Sequence, residues 1–358
     1  MIRLLLEWYR RHFSDPQAVI LALLLITGLL VVVFAGRLLA PLLASIVIAY
    51  LLDGAVDKLL RWRVPRMVAV VFVFVLFIVL ILAILLGPIP LITQQVAQFF
   101  SELPNMVAKG QEQLMLLPER YPHLISEPQV IELINTLRTE ITTLGQHVLS
   151  VSLSSVVGLI TILVYVILVP LLVFFFLKDK YKIMTWVTGF LPEERSLSSR
   201  VWAEVNDKIA SYVRGKFIEV AFVWVASYIA FMILGMNYAM LLSFLIGLSV
   251  IIPYVGATII TFPVALVAYF QWGVNVHFAY AMLAYGIIQF LDGNLLVPLL
   301  FSEVVNLHPV AIIVSVIVFG GLWGVWGVFF AIPLATLIQA VLNAWPAPLD
   351  QQLDESVE

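Results

Sequence analysis

Apolar runs of about 20 residues recur along this chain, and they constrain its fold more than any other feature. A helix of about 20 apolar residues crosses the hydrocarbon core of a bilayer. Only 11% of the 358 residues are charged and 63% are hydrophobic, whereas a soluble domain carries about 25% charged residues. The alternating pattern of a β-barrel is absent, so the sequence predicts an all-α polytopic membrane protein. The candidate spans are residues 17–36, 38–52, 67–90, 153–177, 217–235 and 277–300.

Two further pairs of apolar segments are short. The first pair covers 237–252 and 257–270, and the second covers 308–319 and 328–342. All four arms fall short of the ~30 Å hydrocarbon core at 1.5 Å per residue. Because one full helix separates the pairs, they predict two hairpins that open to opposite sides, as re-entrant halves of an inverted repeat; four ordinary short helices with tight turns are the alternative. The predicted tip and gate residues are Pro253, Tyr254, Gly256, Gly320, Gly321, Trp323 and Gly324.

Polar segments divide the chain further. Residues 93–150 contain four prolines and many charges, which predict a small extracytoplasmic lobe of short helices. In 191–216, apolar residues at spacings of three and four predict an amphipathic helix that lies at the membrane surface, packs on a partner or simply covers the loop below. The predicted organisation is membrane helices in 1–92, the lobe in 93–150, a kinked membrane helix in 151–190, the amphipathic helix in 191–216, a transport core in 217–349 and an acidic tail in 350–358.

The distribution of Lys and Arg predicts the orientation. If the predicted spans alternate, fifteen basic residues near the helix ends fall on one side of the membrane and four on the other. Basic residues concentrate on the cytoplasmic side. The sequence therefore predicts cytoplasmic N- and C-termini and an external lobe.

Asp292 interrupts one of the most apolar parts of the chain. Asp292 and Glu303 are the only charged residues from 220 to 349. A carboxylate within hydrocarbon costs a few kcal/mol on insertion scales, so it indicates a functional site. Carboxylate, amide and freed carbonyl oxygens suit a proton or a small hard cation such as Na⁺. Alternatively, the helix ends near Phe290 and Asp292 lies at the headgroups. The candidate substrate- or ion-binding residues are Asp292, Asn294, Gln289 and Gly293.

Other titratable residues give weaker signals. Glu219 closely follows Lys216, which indicates either a surface salt bridge or part of a proton path, and His308 is a second proton-path candidate. The chain has no cysteine and a net charge of −3, so neither a thiol-based site nor a nucleic-acid partner is expected. The HExxH, GxSxG and P-loop motifs are absent, and no enzyme activity, resident metal or cofactor beyond a coupling ion is predicted.

The run QFLDGNLLVPLLFSEVVNLHPVAIIVSVIVFGGLWGVWGVFFAIPLATLI (289–338), together with IPYVGA (252–257), resembles the autoinducer-2 exporter family of transporters. The resemblance extends over nearly the whole chain. It implies a multi-pass transporter of the bacterial inner membrane that forms a homo-oligomer, with a pentamer as one form. Many relatives carry Glu at the acid position, so Asp292 shortens the side chain there by one methylene.

Three functions remain open at this point. The first is a secondary transporter or permease that moves a small solute or cation by alternating access, with export of an autoinducer-2-like signal as one case. The second is a Na⁺(Li⁺)/H⁺ antiporter, which the resemblance also implies and for which Asp292 supplies the carboxylate. The third is a membrane scaffold or regulator that docks partners through the lobe and the amphipathic helix.

Overall fold

The computed structural model describes residues 16–115, 156–190, 196–253, 255–301 and 307–344, with isolated residues between 128 and 143. Within these ranges the chain forms twelve α-helices and one π-helical turn, and six stretches are long and apolar enough to cross a membrane. This confirms the prediction of an all-α polytopic membrane protein. The helices are α1 (Pro16–Arg61), α2 (Arg66–Leu86), α3 (Pro88–Met115), α4 (Val156–Lys178), α5 (Lys180–Thr188), α6 (Ser196–Ile233), α7 (Ala239–Ser249), α8 (Val255–Trp272), α9 (Val276–Leu291), the π-helical turn (Asp292–Leu296), α10 (Val297–Phe301), α11 (Pro309–Trp323) and α12 (Val325–Ala344).

The first two predicted spans form one helix, α1, which continues through Arg37. Arg is a good helix former and does not by itself end a helix. Leu21 shares a buried cluster with α6, and the Tyr50 hydroxyl donates to the carbonyl of Asn206, also on α6. A straight helix would separate Leu21 from Tyr50 by about 43 Å, so α1 bends between them. Pro41 lies in this part of α1 and cannot donate its backbone hydrogen bond.

The predicted lobe begins as a long helix, because the boundary between residues 92 and 93 falls inside α3. Ile92, Val96 and Phe99 pack against the buried cluster to which α6, α7, α8 and α9 contribute. The Gln95 side-chain oxygen accepts a hydrogen bond from the backbone N–H of Leu241 in α7 at 2.8 Å. The first third of the predicted lobe is therefore part of the helical core. Most of residues 116–150 lie outside the described residues.

The amphipathic segment and the following membrane span are one continuous helix, α6, which corrects the predicted break near residue 216. The predicted apolar stripe is confirmed as a buried face. Val201 and Val205 pack against Ala340 of α12, and Tyr212 packs against Phe301. The stripe thus covers the protein's own core rather than a separate surface. Gly215 keeps the helix close to α10, since a Cβ there would lie 2.8 Å from the Phe301 ring.

Two helical hairpins lie against opposite halves of α6. We call α7, α8 and the connecting residues 250–254 the first hairpin, and α11 and α12 with Gly324 the second hairpin. A Cβ at Gly247 of α7 would meet Val220 and Trp224, so the first hairpin covers the later half of α6. The second hairpin covers the earlier half, where Ala340 of α12 lies with Val201 and Val205. Both hairpins reach the segment of α6 around Lys216.

The second hairpin turns more tightly than the sequence predicts. Gly320, Gly321 and Trp323 belong to α11, and the turn between the two helices is the single residue Gly324. Its φ is +62°, a left-handed conformation that suits glycine.

Candidate functional site

A buried ion pair lies on α6 where the two hairpins meet. Lys216 and Glu219 are one helical turn apart, and the Lys216 Nζ is 2.7 Å from the Glu219 Oε2. Their relative exposures are only 4% and 2%. A surface salt bridge, one of the two readings of this pair, is therefore wrong. Burying a charge is costly unless it is paired, so each of these side chains depends on the other.

Lys216 also joins three structural elements. Its Nζ donates a hydrogen bond of 2.8 Å to the carbonyl oxygen of Val250, the residue that follows α7 in the first hairpin. Its ammonium lies 5.3 Å from the centre of the Phe301 ring of α10. The unsatisfied carbonyls at a helix C-terminus carry partial negative charge, so Lys216 is matched to the end of α7 as well as to Glu219.

Asp292 opens the π-helical turn and points into the protein. The backbone N–H of Val297 donates to the carbonyl of Asp292, five residues earlier. Such turns widen a helix by one residue and are frequent at functional sites. Asp292 is 9% exposed, and the π-helical turn that carries it packs against α6, the helix of Lys216 and Glu219. The structure therefore brings two carboxylates and one ammonium into one buried cluster.

Several buried polar atoms in the described residues have no hydrogen-bond partner. They are the Asp292 Oδ1, the Gln289 Nε2, the Ser227 Oγ and the Trp323 Nε1. Gln289 lies one turn before Asp292 on α9, which packs against the helix that carries Ser227. Such atoms are uncommon in native proteins and call for an explanation. Gln289 and Asp292, one turn apart, offer amide and carboxylate groups that suit a polar solute or a hydrated cation.

The structure divides the predicted binding residues. Asp292 and Gln289 are buried or half-buried, whereas Gly293 and Asn294 are exposed. The Asn294 Nδ2 donates to the carbonyl of Phe290 in its own helix at 2.9 Å. The helix also continues past Phe290, so the alternative in which it ends there is wrong.

The two proton-path candidates have different surroundings. Glu219 belongs to the buried cluster. His308 caps α11, where its Nδ1 accepts from the N–H of Val310 at 3.2 Å. A structural role as a helix cap accounts for that contact.

Each hairpin has one glycine that permits close backbone approach at its tip. A Cβ on Gly256 would overlap the carbonyl oxygen of Ser249, and a Cβ on Gly327 would overlap that of Phe319. Gly320 is crowded by Val328, whereas Gly321 has open space around it. Pro253 is half-buried in the first tip, and Tyr254 lies outside the described residues.

Sequence reasoning missed three of the residues that matter here. The spacing of three places Lys216 on the same helix face as Glu219, but it does not show that this face is buried. Gly327 was not singled out from the glycine-rich stretch. Nothing in the sequence marks Ser227, because a serine in an apolar helix commonly bonds its own backbone.

The long apolar helices and their buried charges define a multi-pass membrane protein. The chain belongs to the family described as AI-2E family transporter, whose family model matches residues 20–347. The chain is therefore a transport protein of that family, as the motifs around Asp292 predict.

Two Escherichia coli K12 proteins illustrate the range of relatives. The chain is 46% identical to "Putative permease PerM" over 346 residues, which cover 97% of this chain and 98% of that protein. It is 25% identical to "AI-2 transport protein TqsA" over 344 residues, which cover 90% of this chain and 92% of that protein.

Proposed function

We propose that this protein is a secondary transporter of the bacterial inner membrane that moves a small solute or cation by alternating access, with Asp292 as its binding carboxylate. The observation that carries the proposal is the buried Asp292 Oδ1, which has no hydrogen-bond partner in the described structure. A buried carboxylate oxygen without a donor is costly. A bound proton, cation or hydroxyl-bearing solute would supply what this oxygen lacks.

The charges of the cluster favour a cation. When all three groups are ionised, the carboxylates of Glu219 and Asp292 face a single ammonium, that of Lys216, and one negative charge is in excess. Neutralisation by a proton or by Na⁺ or Li⁺ removes the excess. Exchange of such ions at one carboxylate would produce cation/proton antiport, which is the finer form of the proposal.

The hairpins supply the expected moving parts. They approach α6 from opposite ends and meet beside the charged cluster. Alternating access requires that a central site open to one side and then to the other. Alternate movement of the two tips would meet this requirement, with both chain termini in the cytoplasm.

The outer surface suits lipid or neighbouring subunits of a homo-oligomer. Phe72, Leu76 and Leu80 on α2 are each more than half exposed. Apolar side chains on this scale are compatible with a bilayer on one side and subunit contacts on the other.

The test is transport by purified protein in liposomes. A pH gradient is imposed, Na⁺, Li⁺ or K⁺ is added outside, and the internal pH is followed with a dye. We expect a cation-dependent pH change that is lost in Asp292→Asn. The matched control is Asn294→Ala, because Asn294 lies two residues away but is exposed and bonded within its own helix.

A second candidate is export of a small polar signal, which the similarity to "AI-2 transport protein TqsA" favours. Liposomes loaded with autoinducer-2 should then release it through the wild-type protein and not through Asp292→Asn. Cation-dependent pH changes that persist in folded Asp292→Asn would refute the role of this carboxylate. A folded wild-type protein that moves neither substrate would instead favour a scaffold that binds partners through residues 93–150.

A further inference from the structure

The Lys216 side chain is the strongest connection between the charged cluster and the first hairpin. Its ammonium has three donor positions. One hydrogen bond goes to Glu219 on the same helix, and a second goes to the Val250 carbonyl at the tip of the first hairpin. The Lys216 ammonium therefore contacts both the charged cluster and the first hairpin, which is expected to move.

We propose that Lys216 is the positioning residue that holds the tip of the first hairpin against the charged cluster, and that a cation bound to Asp292 and Glu219 releases this tip. The inference rests on the proposed function, because it requires that a cation occupy those carboxylates. The proposal explains how cation binding at the carboxylates would cause the first hairpin to move.

The groups that face Lys216 determine how strongly it is held. They are Glu219 from α6, the Val250 carbonyl from the first hairpin and the Phe301 ring from α10, with the Asp292 charge on the π-helical turn acting from further away. Glu219 bonds the ammonium directly, and Asp292 adds a longer-range attraction. A cation on either carboxylate weakens that attraction, so the ammonium can leave Val250.

The rest of the first hairpin is suited to a movement of its tip. Residues 250–253 are not helical, and the contact of Gly256 with Ser249 keeps the two arms close where they leave the tip. The second hairpin has no comparable charged contact among the described residues. Its bond to α6 is the neutral one from the Tyr212 hydroxyl to the Phe329 carbonyl, at 3.3 Å.

The absence of cysteine makes the test direct, since a single introduced thiol is the only thiol of the chain. Ile252→Cys reports on the first tip, and Leu322→Cys reports on the second. Each is labelled in liposomes with a membrane-permeant maleimide, in a chain that is otherwise wild type and in chains that also carry Lys216→Met or Lys216→Arg.

We expect Lys216→Met to raise the labelling rate of Ile252→Cys by about tenfold. Loss of a hydrogen bond to a charged group shifts the equilibrium between the bonded and the released tip by roughly that factor. Lys216→Arg keeps the charge and the donors, so labelling should stay within about threefold of the wild-type rate. The rate for Leu322→Cys should not change in either variant. Na⁺ or Li⁺ should accelerate labelling of Ile252→Cys only in chains that retain Lys216 or carry Lys216→Arg.

A buried Glu219 without its partner can prevent folding of Lys216→Met. The double variant Lys216→Met/Glu219→Met removes both charges and serves as the second test. Faster labelling of Ile252→Cys in a folded, monodisperse double variant supports the proposal that Lys216 holds the first tip. Labelling at the wild-type rate in that variant overturns it. Because labelling needs no transport, this result is separate from the effect of Asp292→Asn, which tests the proposed function alone.

Discussion

The first and second hairpins lie against opposite halves of α6, and different contacts hold their tips. The first tip is bonded to the Lys216 ammonium through the Val250 carbonyl. The second hairpin is held by aromatic contacts, in which the Phe329 ring lies 6.0 Å from Phe217 and 6.5 Å from Tyr212. A bound ion can weaken a charged contact but not the packing of aromatic rings, so the proposed ion response belongs to the first hairpin.

The tips also share one feature. Gly256 and Gly327 each admit a carbonyl oxygen from the other arm of their hairpin. The tight crossing of the arms is thus common to both hairpins, and only the attachment to α6 differs.

Lys216→Met should produce the largest effect and should act on the first hairpin. Removing one member of a buried ion pair leaves the other charge uncompensated, which costs about 3–5 kcal/mol. We expect the free energy of unfolding in detergent to fall by that amount, as measured by denaturant titration. Lys216→Met/Glu219→Met should recover part of the loss. If Lys216→Met is as stable as the wild type, the charged contact of the first hairpin contributes no more to stability than the aromatic contacts of the second.

Gly256→Ala and Gly327→Ala should weaken the two hairpins to a similar extent. Each added methyl overlaps a backbone carbonyl that only a shift of the arm relieves, and overpacking of this kind costs about 1–3 kcal/mol. Thermal unfolding followed by circular dichroism measures both. Gly321→Ala is the control, because its Cβ has open space, and it should be neutral or stabilising. Loss of stability in only one of the two tip variants would show that the tips are not equivalent.

Tyr212→Phe removes the hydroxyl that bonds the second hairpin to α6. The Phe329 carbonyl would lose a neutral hydrogen bond, worth about 0.5–1.5 kcal/mol. The ring packing remains, so we expect a small decrease in thermal stability and unchanged labelling of Ile252→Cys. Faster labelling of Ile252→Cys in this variant would mean that the two hairpins are coupled through Tyr212.

Asn294→Ala should have the smallest effect. Asn294 is exposed, and its amide bonds only the carbonyl of Phe290 in the contacts described. Surface changes of this kind usually stay within about 0.5 kcal/mol. Transport and stability should match the wild type in the liposome and unfolding assays. A strong loss of transport would show that Asn294 takes part in substrate binding, although it lies on the opposite face of the helix from Asp292.

Prediction from the sequence was most accurate where it relied on the helical spacing of apolar residues and on the length of apolar runs. The apolar stripe of residues 197–213 was predicted as one face, and from Val201 to Val213 it is the buried face of α6. The break between that stripe and the following span was wrong, because polar residues around 214–216 change the environment of a helix without ending it. The same reason explains why α1 continues through Arg37.

The candidate site was predictable only in part. Asp292 stood out because a carboxylate is rare among apolar residues. Asn294 was grouped with it because the two are close in sequence, yet a helix places residues two apart on different faces. Side-chain direction at a π-helical turn depends on packing around it, so the division between Asp292 and Asn294 needed the structure.

The sequence by itself determined that the chain is helical and crosses a membrane, because backbone polar groups in lipid must be satisfied within each segment. It also marked Asp292 and the approximate positions of the hairpin tips. The tertiary structure decided which partners these groups have. Lys216 meets Val250, and the turn that carries Asp292 lies against the helix that carries Glu219, only because α6, the first hairpin and the π-helical turn pack together. Contacts between residues distant in sequence depend on that packing, and neither local spacing nor composition specifies them.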